Sequence, residues 1–297
     1  MPELKVAIIG LDSSHSIQFA MRTQAPDCPE DQKVKGLRIV SCMRFETPFQ
    51  DKKGLDARQT QLEAWGVHVT EDFGEAVRDC DAIMLEINDP SLHLAYFEKA
   101  VKLGKPMFLD KPLADTIENG IKIFEIAKMH QAKVFSSSSL RFVPEVVGLS
   151  DEMKDPMTCS VLGPLGIALA GDSVIWYGVH TFEMLQKLMG RGARSVQAIK
   201  DDIGVVVTVE YENKRRGIVE LTEDAFVYGG TLRGKDTIRT FAVNMDKAYK
   251  SLLDEIAAFF MGGPEPVALL DTLEVMDMMD ATVKSLKTGK KENLATI

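Results

Sequence analysis

The sequence predicts an α/β protein in which a doubly wound parallel sheet is followed by an α+β domain with an open, mostly antiparallel sheet. Three observations lead to this prediction. Short apolar strands alternate with helical patterns up to about residue 140, β-branched strands joined by polar turns follow, and two helical segments come last. Alternating strands and helices indicate a parallel sheet covered on both faces, whereas strands joined by short turns indicate antiparallel pairing.

The composition is that of an ordinary globular protein and argues against several functional classes. Hydrophobic residues make up 45% and charged residues 27% of the 297 residues, enough for two domains. The net charge of -9 argues against nucleic acid as a partner. No apolar run approaches the roughly 18 residues of a membrane span, and the first residues enter a strand without signal-peptide organisation. We expect a cytoplasmic protein. The scattered cysteines and histidines predict neither a disulfide framework nor a metal site.

The first domain is predicted over residues 1–140. Its predicted strands are Leu4–Ile9, Leu37–Cys42, Val67–Val69, Ala82–Ile87, Pro106–Leu109 and Lys133–Ser137, and its predicted helices are Ser14–Arg22, Leu55–Trp65, His93–Leu103 and Asp115–His130. Gly66 and Gly104 each follow a helical pattern, as C-terminal caps do.

The second domain is predicted over residues 141–297. Its predicted strands are Ser195–Lys200, Gly204–Tyr211, Arg216–Thr222, Phe226–Leu232 and Thr237–Val243. A helix containing Tyr249 and Phe260 follows, then the break Gly262-Gly263-Pro264 and a last helix over about Leu270–Leu286.

A lysine stands directly after a predicted strand, in the segment Asp110-Lys111-Pro112. The carboxyl ends of parallel strands are where open α/β sheets bind their ligands. The ammonium of Lys111 can donate a proton or hydrogen bond to a substrate oxygen, and Pro112 keeps the residue before it out of the helical region. The alternative interpretation is a charged surface turn.

The turn after the first strand occupies the position of a dinucleotide-binding loop. Only Gly10 matches the glycine pattern of such loops, since Asp12 and His15 replace the second and third glycines. The amides at the helix N-terminus and the hydroxyls of Ser13 and Ser14 can still hold phosphate. The alternative is that Asp12 or Ser13 only caps the helix.

The end of the second strand bears on the choice of dinucleotide. NAD enzymes carry an acid there for the ribose hydroxyls, but this chain has Cys42-Met43-Arg44. With Arg44 available for a 2′-phosphate, the segment favours NADP over NAD. A solvated loop position for Arg44 is the alternative.

Five motifs follow one another along nearly the whole chain. They are Gly10 after the first strand, Asn88-Asp89-Pro90-Ser91-Leu92-His93, Asp110-Lys111-Pro112-Leu113, Ser139-Leu140-Arg141-Phe142-Val143-Pro144, and Gly178-Val179-His180 followed by Glu183 and Leu185. Together they resemble the Gfo/Idh/MocA family of NAD(P)-dependent sugar and cyclitol oxidoreductases. The middle motifs are similar to the family's Thr-Pro-Asn-x-x-His turn, its Glu-Lys-Pro segment and its Arg-Phe-x-Pro crossover.

The resemblance implies a Rossmann domain, a substrate pocket between the domains, and dimers or tetramers formed through the open sheet. It implies that Lys111 contacts the reacting oxygen and that His180 is an acid–base group or substrate ligand, with Tyr177 beside it. The residues implied to line the cofactor or substrate sites are Gly10, Asp12, Ser13, Ser14, His15, Arg44, Asn88, Asp110, Lys111, Arg141, Trp176 and Glu183. Trp176 replaces a family aspartate and offers a flat apolar face on which a sugar ring can stack, although core packing is the alternative.

Three functions remain open at this stage. The first is hydride transfer between NAD or NADP and a sugar, cyclitol or related polyol. The second is a redox-neutral epimerase or lyase that retains a bound dinucleotide. The third is a non-catalytic descendant that binds a metabolite, which the altered glycine loop and Trp176 motivate.

Overall fold

The computed structural model describes residues 3–295. Its helices are α1 (Ser14–Gln24), α2 (Lys52–Ala64), α3 (Phe73–Ala76), α4 (His93–Ala100), α5 (Ile117–His130), α6 (Pro144–Glu152), α7 (Ser173–Trp176), α8 (Val179–Met189), α9 (Ala248–Phe260) and α10 (Leu269–Thr288). Its strands are β1 (Leu4–Ile9), β2 (Leu37–Met43), β3 (His68–Thr70), β4 (Ala82–Leu85), β5 (Met107–Leu109), β6 (Val134–Ser136), β7 (Thr158–Pro164), β8 (Ala193–Lys200), β9 (Gly204–Tyr211), β10 (Arg216–Thr222), β11 (Gly229–Arg233), β12 (Ile238–Ala242) and β13 (Glu292–Asn293).

The first compact unit is built on a six-stranded sheet. It comprises the described residues up to Ala114, together with residues 118–136 and 249–269. The strand order is β3-β2-β1-β4-β5-β6, and all neighbouring strands are parallel. This is the doubly wound Rossmann order, so the predicted architecture is confirmed. The order reverses between β1 and β4, and the carboxyl ends of these strands border the crevice where such sheets bind ligands.

Complete burial explains why the strands of this sheet are apolar runs. Val6 to Ile9 in β1 and Ala82 to Leu85 in β4 are all buried, as expected for a parallel sheet with helices on both faces. Gly66 and Gly104 adopt positive φ angles of 80° and 63° directly after α2 and the short 3₁₀ turn that extends α4. Both therefore end helices as predicted.

The second compact unit is built on a seven-stranded sheet and comprises residues 115–117, residues 137–248 and the described residues from Leu270 onward. Its strand order is β12-β11-β7-β10-β9-β8-β13. The β7–β10 pair is parallel and the other pairs are antiparallel, which confirms a mostly antiparallel sheet. Helix α8 lies against β7 and β10.

The prediction missed or misplaced several elements of the second unit. Strand β7 is central in its sheet, yet its Gly163-Pro164 ending hides it, because proline and glycine are uncommon inside strands. The strand predicted from Phe226 begins at Gly229 instead, and Phe226 and Val227 are exposed. The hydrophobic side chains that suggested an earlier start do not enter the core.

The observed compact units differ from the predicted domains, which meet at residue 140. The first unit also contains residues 249–269, from the far side of the second unit in the sequence. Aromatic contacts hold this segment there. The Tyr249 ring lies 5.2 Å from the His15 ring and 6.2 Å from Phe19, and Phe259 lies 5.2 Å from Phe135. The functional roles assigned to residues 1–140 and 141–297 stay a prediction.

Among residues 3–295, no helix combines the length and apolarity that crossing a membrane requires.

Candidate functional site

The first candidate site is the carboxyl edge of the first sheet, formed by the residues that follow β1, β4 and β5. Gly10 lies there with φ 108°, and a Cβ on it would stand 2.6 Å from the carbonyl oxygen of Glu86. Only glycine fits this close approach between two loops. The next helix begins at Ser14, and the Ser13 hydroxyl caps it by accepting the His15 backbone N–H at 3.1 Å. The N-terminus of α1 therefore faces this edge, as an anion-binding loop requires.

Asp12, which replaces a glycine of dinucleotide-binding loops, is turned into the protein. It is 2% exposed and accepts hydrogen bonds from the Thr47 hydroxyl at 2.8 Å and the Asn88 backbone N–H at 2.9 Å. Burial raises the pKa of Asp12, against these two hydrogen bonds, which lower it. Asp12 thus ties the loops after β1, β2 and β4 together, so its predicted contact with cofactor stays a prediction.

Lys111 and Asp110 lie at the end of β5, as predicted, but they are buried rather than part of a surface turn. The Lys111 Nζ is 3.8 Å from Asp110 Oδ2, and the His15 Nδ1 is 2.9 Å from each oxygen of the same carboxylate. Burial alone would raise the pKa of Asp110, but the charges of His15 and Lys111 hold it below its usual range. Asp110 is therefore an anion that orients the lysine.

Sequence reasoning missed Glu86, which lies just past β4 and is 0% exposed. Its Oε2 is 3.8 Å from His15 Nδ1, and within residues 3–295 neither of its carboxyl oxygens has a hydrogen-bond partner. Burial raises the pKa of Glu86 well above its ordinary value, and the nearby Asp110 charge adds to this effect. An acid inside the apolar run Ala82–Ile87 was the signal that could have revealed it.

His93 holds two loops of this edge in place. Its ring nitrogens lie 3.1 Å from the Leu113 carbonyl oxygen and 2.8 Å from the Ile87 carbonyl oxygen. The ring is fully buried and fixes the loop that carries Lys111 relative to the end of β4. Its role is positional.

Arg44 lies at the end of β2, as predicted, but acidic side chains surround it. Its Nη2 is 2.8 Å from Asp56 Oδ1, its Nε is 3.9 Å from Glu71 Oε1, and it also bonds Gln59. Arg44, Glu46 and Glu71 help line a cavity of about 320 Å³ beside the strand end. The positive charge that would attract a 2′-phosphate is therefore partly neutralised.

The backbone geometry and the charges of this edge are suited to a dinucleotide. The close approach at Gly10, the capped N-terminus of α1 and the cavity at the end of β2 occupy the positions at which a Rossmann sheet holds pyrophosphate and adenosine. The Asp12 carboxylate, which would oppose phosphate, is engaged by Thr47 and Asn88. Ser14 is exposed at the start of α1, where its hydroxyl is accessible.

A second candidate site lies in the second unit, around His180 on α8. The His180 Nδ1 and the Ser138 hydroxyl form a hydrogen bond of 2.6 Å. The Tyr177 ring lies 5.4 Å from the imidazole and the Tyr228 ring 6.1 Å from it. The half-buried Trp176 contacts Tyr177 at 5.1 Å. The structure thus brings His180, Tyr177 and Trp176 together, and it adds Ser138 and Tyr228, which were not among the predicted site residues.

Arg141 and Glu183 form a buried ion pair in the second unit. The Arg141 Nη1 is 3.0 Å from Glu183 Oε2, and its Nη2 donates to Gln186 Oε1 at 2.5 Å. Burial raises the pKa of Glu183, while Arg141 lowers it. Because both side chains are less than a tenth exposed, the pair anchors α8, and the substrate roles predicted for these two residues stay predictions that this geometry disfavours.

Known proteins are similar to a part or to the whole of this chain. Residues 51–138 match the model of the GFO_IDH_MocA family, an oxidoreductase family with an NAD-binding Rossmann fold. A search of curated proteins found no match.

Several solved structures are similar to the whole chain. A myo-inositol dehydrogenase from Corynebacterium glutamicum is 16% identical, with a TM-score of 0.81 over 100% of both chains. A scyllo-inositol dehydrogenase from Lactobacillus casei with bound NAD(H) and scyllo-inositol is 14% identical, with a TM-score of 0.80 over 98% of this chain and 99% of that chain. An oxidoreductase from Agrobacterium radiobacter in complex with NAD+, L-tartaric acid and magnesium is 13% identical, with a TM-score of 0.76 over 98% of both chains. At these identities the likeness establishes a shared fold.

Proposed function

We propose that this protein is an NAD-dependent oxidoreductase acting on a CH–OH group of a cyclitol or related polyol, on the premise that it belongs to the Gfo/Idh/MocA oxidoreductase family. The observation that carries the proposal is the buried Lys111–Asp110 pair at the carboxyl edge of a Rossmann sheet. The inositol dehydrogenases that share the fold support the substrate class.

In the proposed reaction, Lys111 handles the proton of the substrate hydroxyl. The bound nicotinamide supplies the hydride chemistry. During alcohol oxidation the uncharged Lys111 amine accepts the hydroxyl proton, and in the reverse direction the ammonium returns it to the carbonyl oxygen. The Asp110 carboxylate, fixed by His15, holds the Lys111 side chain and balances its charge. Gly10, Ser13 and Ser14 are proposed to contact the dinucleotide phosphates through the loop and the N-terminus of α1.

For His180 we propose a second acid–base or substrate-binding role, with its ring oriented by Ser138. Tyr177 supplies a hydroxyl beside it, and the indole of Trp176 offers a flat face suited to the apolar side of a sugar or cyclitol ring. Family members carry an aspartate at that position, so stacking replaces a charged contact here. The cytoplasmic location stays a prediction.

A turnover assay and a mass measurement together test this function. We expect reduced nicotinamide to form when the purified protein is given NAD and a panel of inositols and polyols. The mass of small molecules released from denatured protein then separates the alternatives. Co-purified dinucleotide without net reduction would indicate the redox-neutral enzyme, and failure to bind any dinucleotide would indicate a non-catalytic descendant.

We predict that freeing Arg44 from its acidic partner increases the affinity for NADP. In the native protein Asp56 and Glu71 offset the guanidinium charge, so we expect NADH to bind more tightly than NADPH. Since exposed ion pairs are weak, Asp56→Asn should shift the ratio of the two dissociation constants about three- to fivefold toward NADPH. Calorimetry with both cofactors measures the ratio.

Asp79→Asn is the matched control for this variant, because Asp79 is an exposed aspartate just before the amino end of β4, at the opposite edge of the sheet. If the native protein prefers NADPH, or if the two variants behave alike, the argument from the Arg44 environment is wrong.

We also propose that the protein forms homodimers or homotetramers through the open face of the second sheet. Helix α8 covers one face. The other exposes neighbouring apolar residues, with Ile199 and Val206 paired across β8 and β9 at 66% and 41% exposure. Leu162 of β7 is 39% exposed on the same face. Such a patch is typical of a protein interface.

Ile199→Asp is expected to at least halve the molar mass measured by light scattering, because it places a charge in the proposed interface. Met129→Asp is the control, since Met129 is 78% exposed on α5 of the first unit. A monomeric native protein would refute the proposed assembly.

A further inference from the structure

We propose that Glu86 is a proton-holding group of the carboxyl edge, kept as a neutral carboxylic acid in the folded protein at neutral pH so that Asp110 is the single anion beside Lys111. The first part of this inference stands on the geometry of the first unit alone. The second part, its effect on catalysis, rests on the function proposed above for Lys111.

The burial of Glu86 without partners is the first argument. The residue is 0% exposed, and both carboxyl oxygens lack hydrogen-bond partners among the described residues. An ionised carboxylate in such a place loses its hydration, a cost of several kcal/mol in real proteins. Against this cost it gains no hydrogen bond from the described residues, only attraction to Lys111 and to His15, whose Nδ1 is 3.8 Å away. A neutral carboxyl avoids most of this cost.

The neighbours of Glu86 supply the second argument. The groups that face it are His15 on α1, Cys42 on β2, and Asp110 and Lys111 at the end of β5. Tyr249 of α9 lies behind His15 and contacts its ring. Of these groups, only His15 and Lys111 can carry positive charge.

Asp110 forms ion pairs with both His15 and Lys111. The His15 Nδ1 is 2.9 Å from Asp110 but 3.8 Å from Glu86, and Lys111 Nζ forms its ion pair with Asp110. A carboxyl oxygen of Glu86 also lies within 4.8 Å of one of Asp110. Two neighbouring carboxyl groups that share insufficient positive charge do not both ionise, so the one with fewer partners keeps the proton.

The protonation state of Glu86 matters for Lys111. While Glu86 is neutral, the Lys111 ammonium is balanced by one carboxylate and can release its proton to become the base. Ionisation of Glu86 would place a second negative charge near the ammonium and favour its protonated form. Glu86 is thus a positioning residue that acts through Asp110 and Lys111 without touching substrate.

Thermal unfolding at several pH values tests the first part without any assay of activity. A folded-state pKa raised above the unfolded value makes the folded protein bind one more proton, so stability is lost as pH rises toward the folded pKa. Glu86→Gln removes this linkage. We expect its Tm relative to the native protein to climb by about 2–4 °C per pH unit above pH ~5, and then to level off.

Glu98→Gln is the control, because Glu98 is exposed on α4, and its Tm difference from the native protein should not change with pH. A pH-independent difference for Glu86→Gln, or a loss of Tm that grows with pH, would overturn the proposal, since the first result means that folding does not shift the pKa of Glu86 and the second means that Glu86 is ionised and paired. Infrared spectroscopy of the native protein keeps the proposal testable even if the variant misfolds. The native protein at pH 7 should show the carbonyl band of a buried neutral carboxyl, and its absence would overturn the proposal.

A bound divalent cation is the competing explanation, because the ligand atoms of His15, Glu86 and Asp110 lie within 4.8 Å of one another. The native protein is therefore also melted after EDTA treatment, with and without added Zn²⁺ or Mn²⁺. If added metal raises the Tm of the native protein but not that of Glu86→Gln, then Glu86 binds a metal ion instead of a proton, and the proposal is refuted.

The catalytic part has its own readout. Because glutamine imitates the neutral form of Glu86, we expect the rising limb of the pH profile of kcat/KM for alcohol oxidation to keep its native position in Glu86→Gln, as in Glu98→Gln. A limb that moves to lower pH in Glu86→Gln alone would refute the proposal, because it means that Glu86 is ionised while Lys111 loses its proton. If the native protein has no turnover at all, the proposed function fails, while the unfolding and infrared results still decide the protonation of Glu86.

Discussion

Replacing Lys111 with methionine is expected to lower kcat by about 10²- to 10⁴-fold, the range typical for removal of a general acid–base group. Methionine keeps the length and apolar stem of the side chain but cannot accept or donate the proton of a substrate hydroxyl. Lys111 forms its ion pair with Asp110 and is 6% exposed, so the variant leaves Asp110 with His15 and the backbone N–H of residue 111. Steady-state kinetics with the best substrate of the panel measures the effect.

The loss should fall on kcat, while the dissociation constant for NADH changes little. Lys102→Met is the matched control, because Lys102 is exposed in the 3₁₀ turn before Gly104, and its kinetics should equal those of the native protein. A Lys111→Met variant that retains more than about a tenth of native kcat would refute the general acid–base role.

Replacing Arg141 with methionine is expected to lower the free energy of unfolding by about 3–5 kcal/mol, because it leaves the Glu183 carboxylate buried without its cation. The native guanidinium binds both Glu183 and Gln186, and both partners belong to α8. The change should therefore loosen α8 as well as weaken global stability. Urea unfolding at neutral pH measures the difference.

The pH dependence of the stability of this variant follows from the direction in which the pKa of Glu183 is shifted. Burial already raises the pKa of Glu183 in the native protein, and Arg141 opposes that effect. Without Arg141 the folded variant must bind a proton at Glu183, so its stability deficit grows as pH rises above the unfolded pKa of ~4.3 and shrinks in acid.

A second substitution separates the ion pair from general packing. Glu183→Gln removes the buried charge, so the double variant Arg141→Met/Glu183→Gln should be more stable than Arg141→Met alone. If the double variant is less stable than Arg141→Met, the two side chains do not act as the ion pair that their 3.0 Å contact indicates.

The architecture of the first unit was predictable because its signals are local. The strand Leu4–Ile9 was predicted with its observed bounds, and the predicted helices near α1, α2, α4 and α5 differ from the observed ones mainly at their ends. Strands that are buried on both faces consist of apolar runs, and helices often end at a glycine such as Gly66 or Gly104. In this unit the residue types therefore indicate where the strands lie and where the helices end.

The second unit was less predictable because its pattern depends on distant partners. Strand β7 pairs with β10 and β11, which lie more than fifty residues later in the chain, and its backbone hydrogen-bond partners come from them. The packing of residues 249–269 in the first unit was unpredictable for the same reason, since it depends on residues that are distant in the sequence. The rings of Phe259 and Tyr249 pack against Phe135 and His15, which lie more than a hundred residues earlier in the chain.

The site divides in the same way. The alternation of strands and helices in the first unit and the placement of Lys111 at a strand end follow from neighbouring residues in the chain, so they were predictable. The need for glycine at position 10 comes from the Glu86 carbonyl of another loop, and the pairing of charges likewise depends on the three-dimensional packing. The tertiary structure turned Asp12 inward, neutralised Arg44 with Asp56, paired Arg141 with Glu183 and placed Glu86 beside Asp110. Electrostatic energies depend on distance and burial in space, and a linear sequence specifies neither.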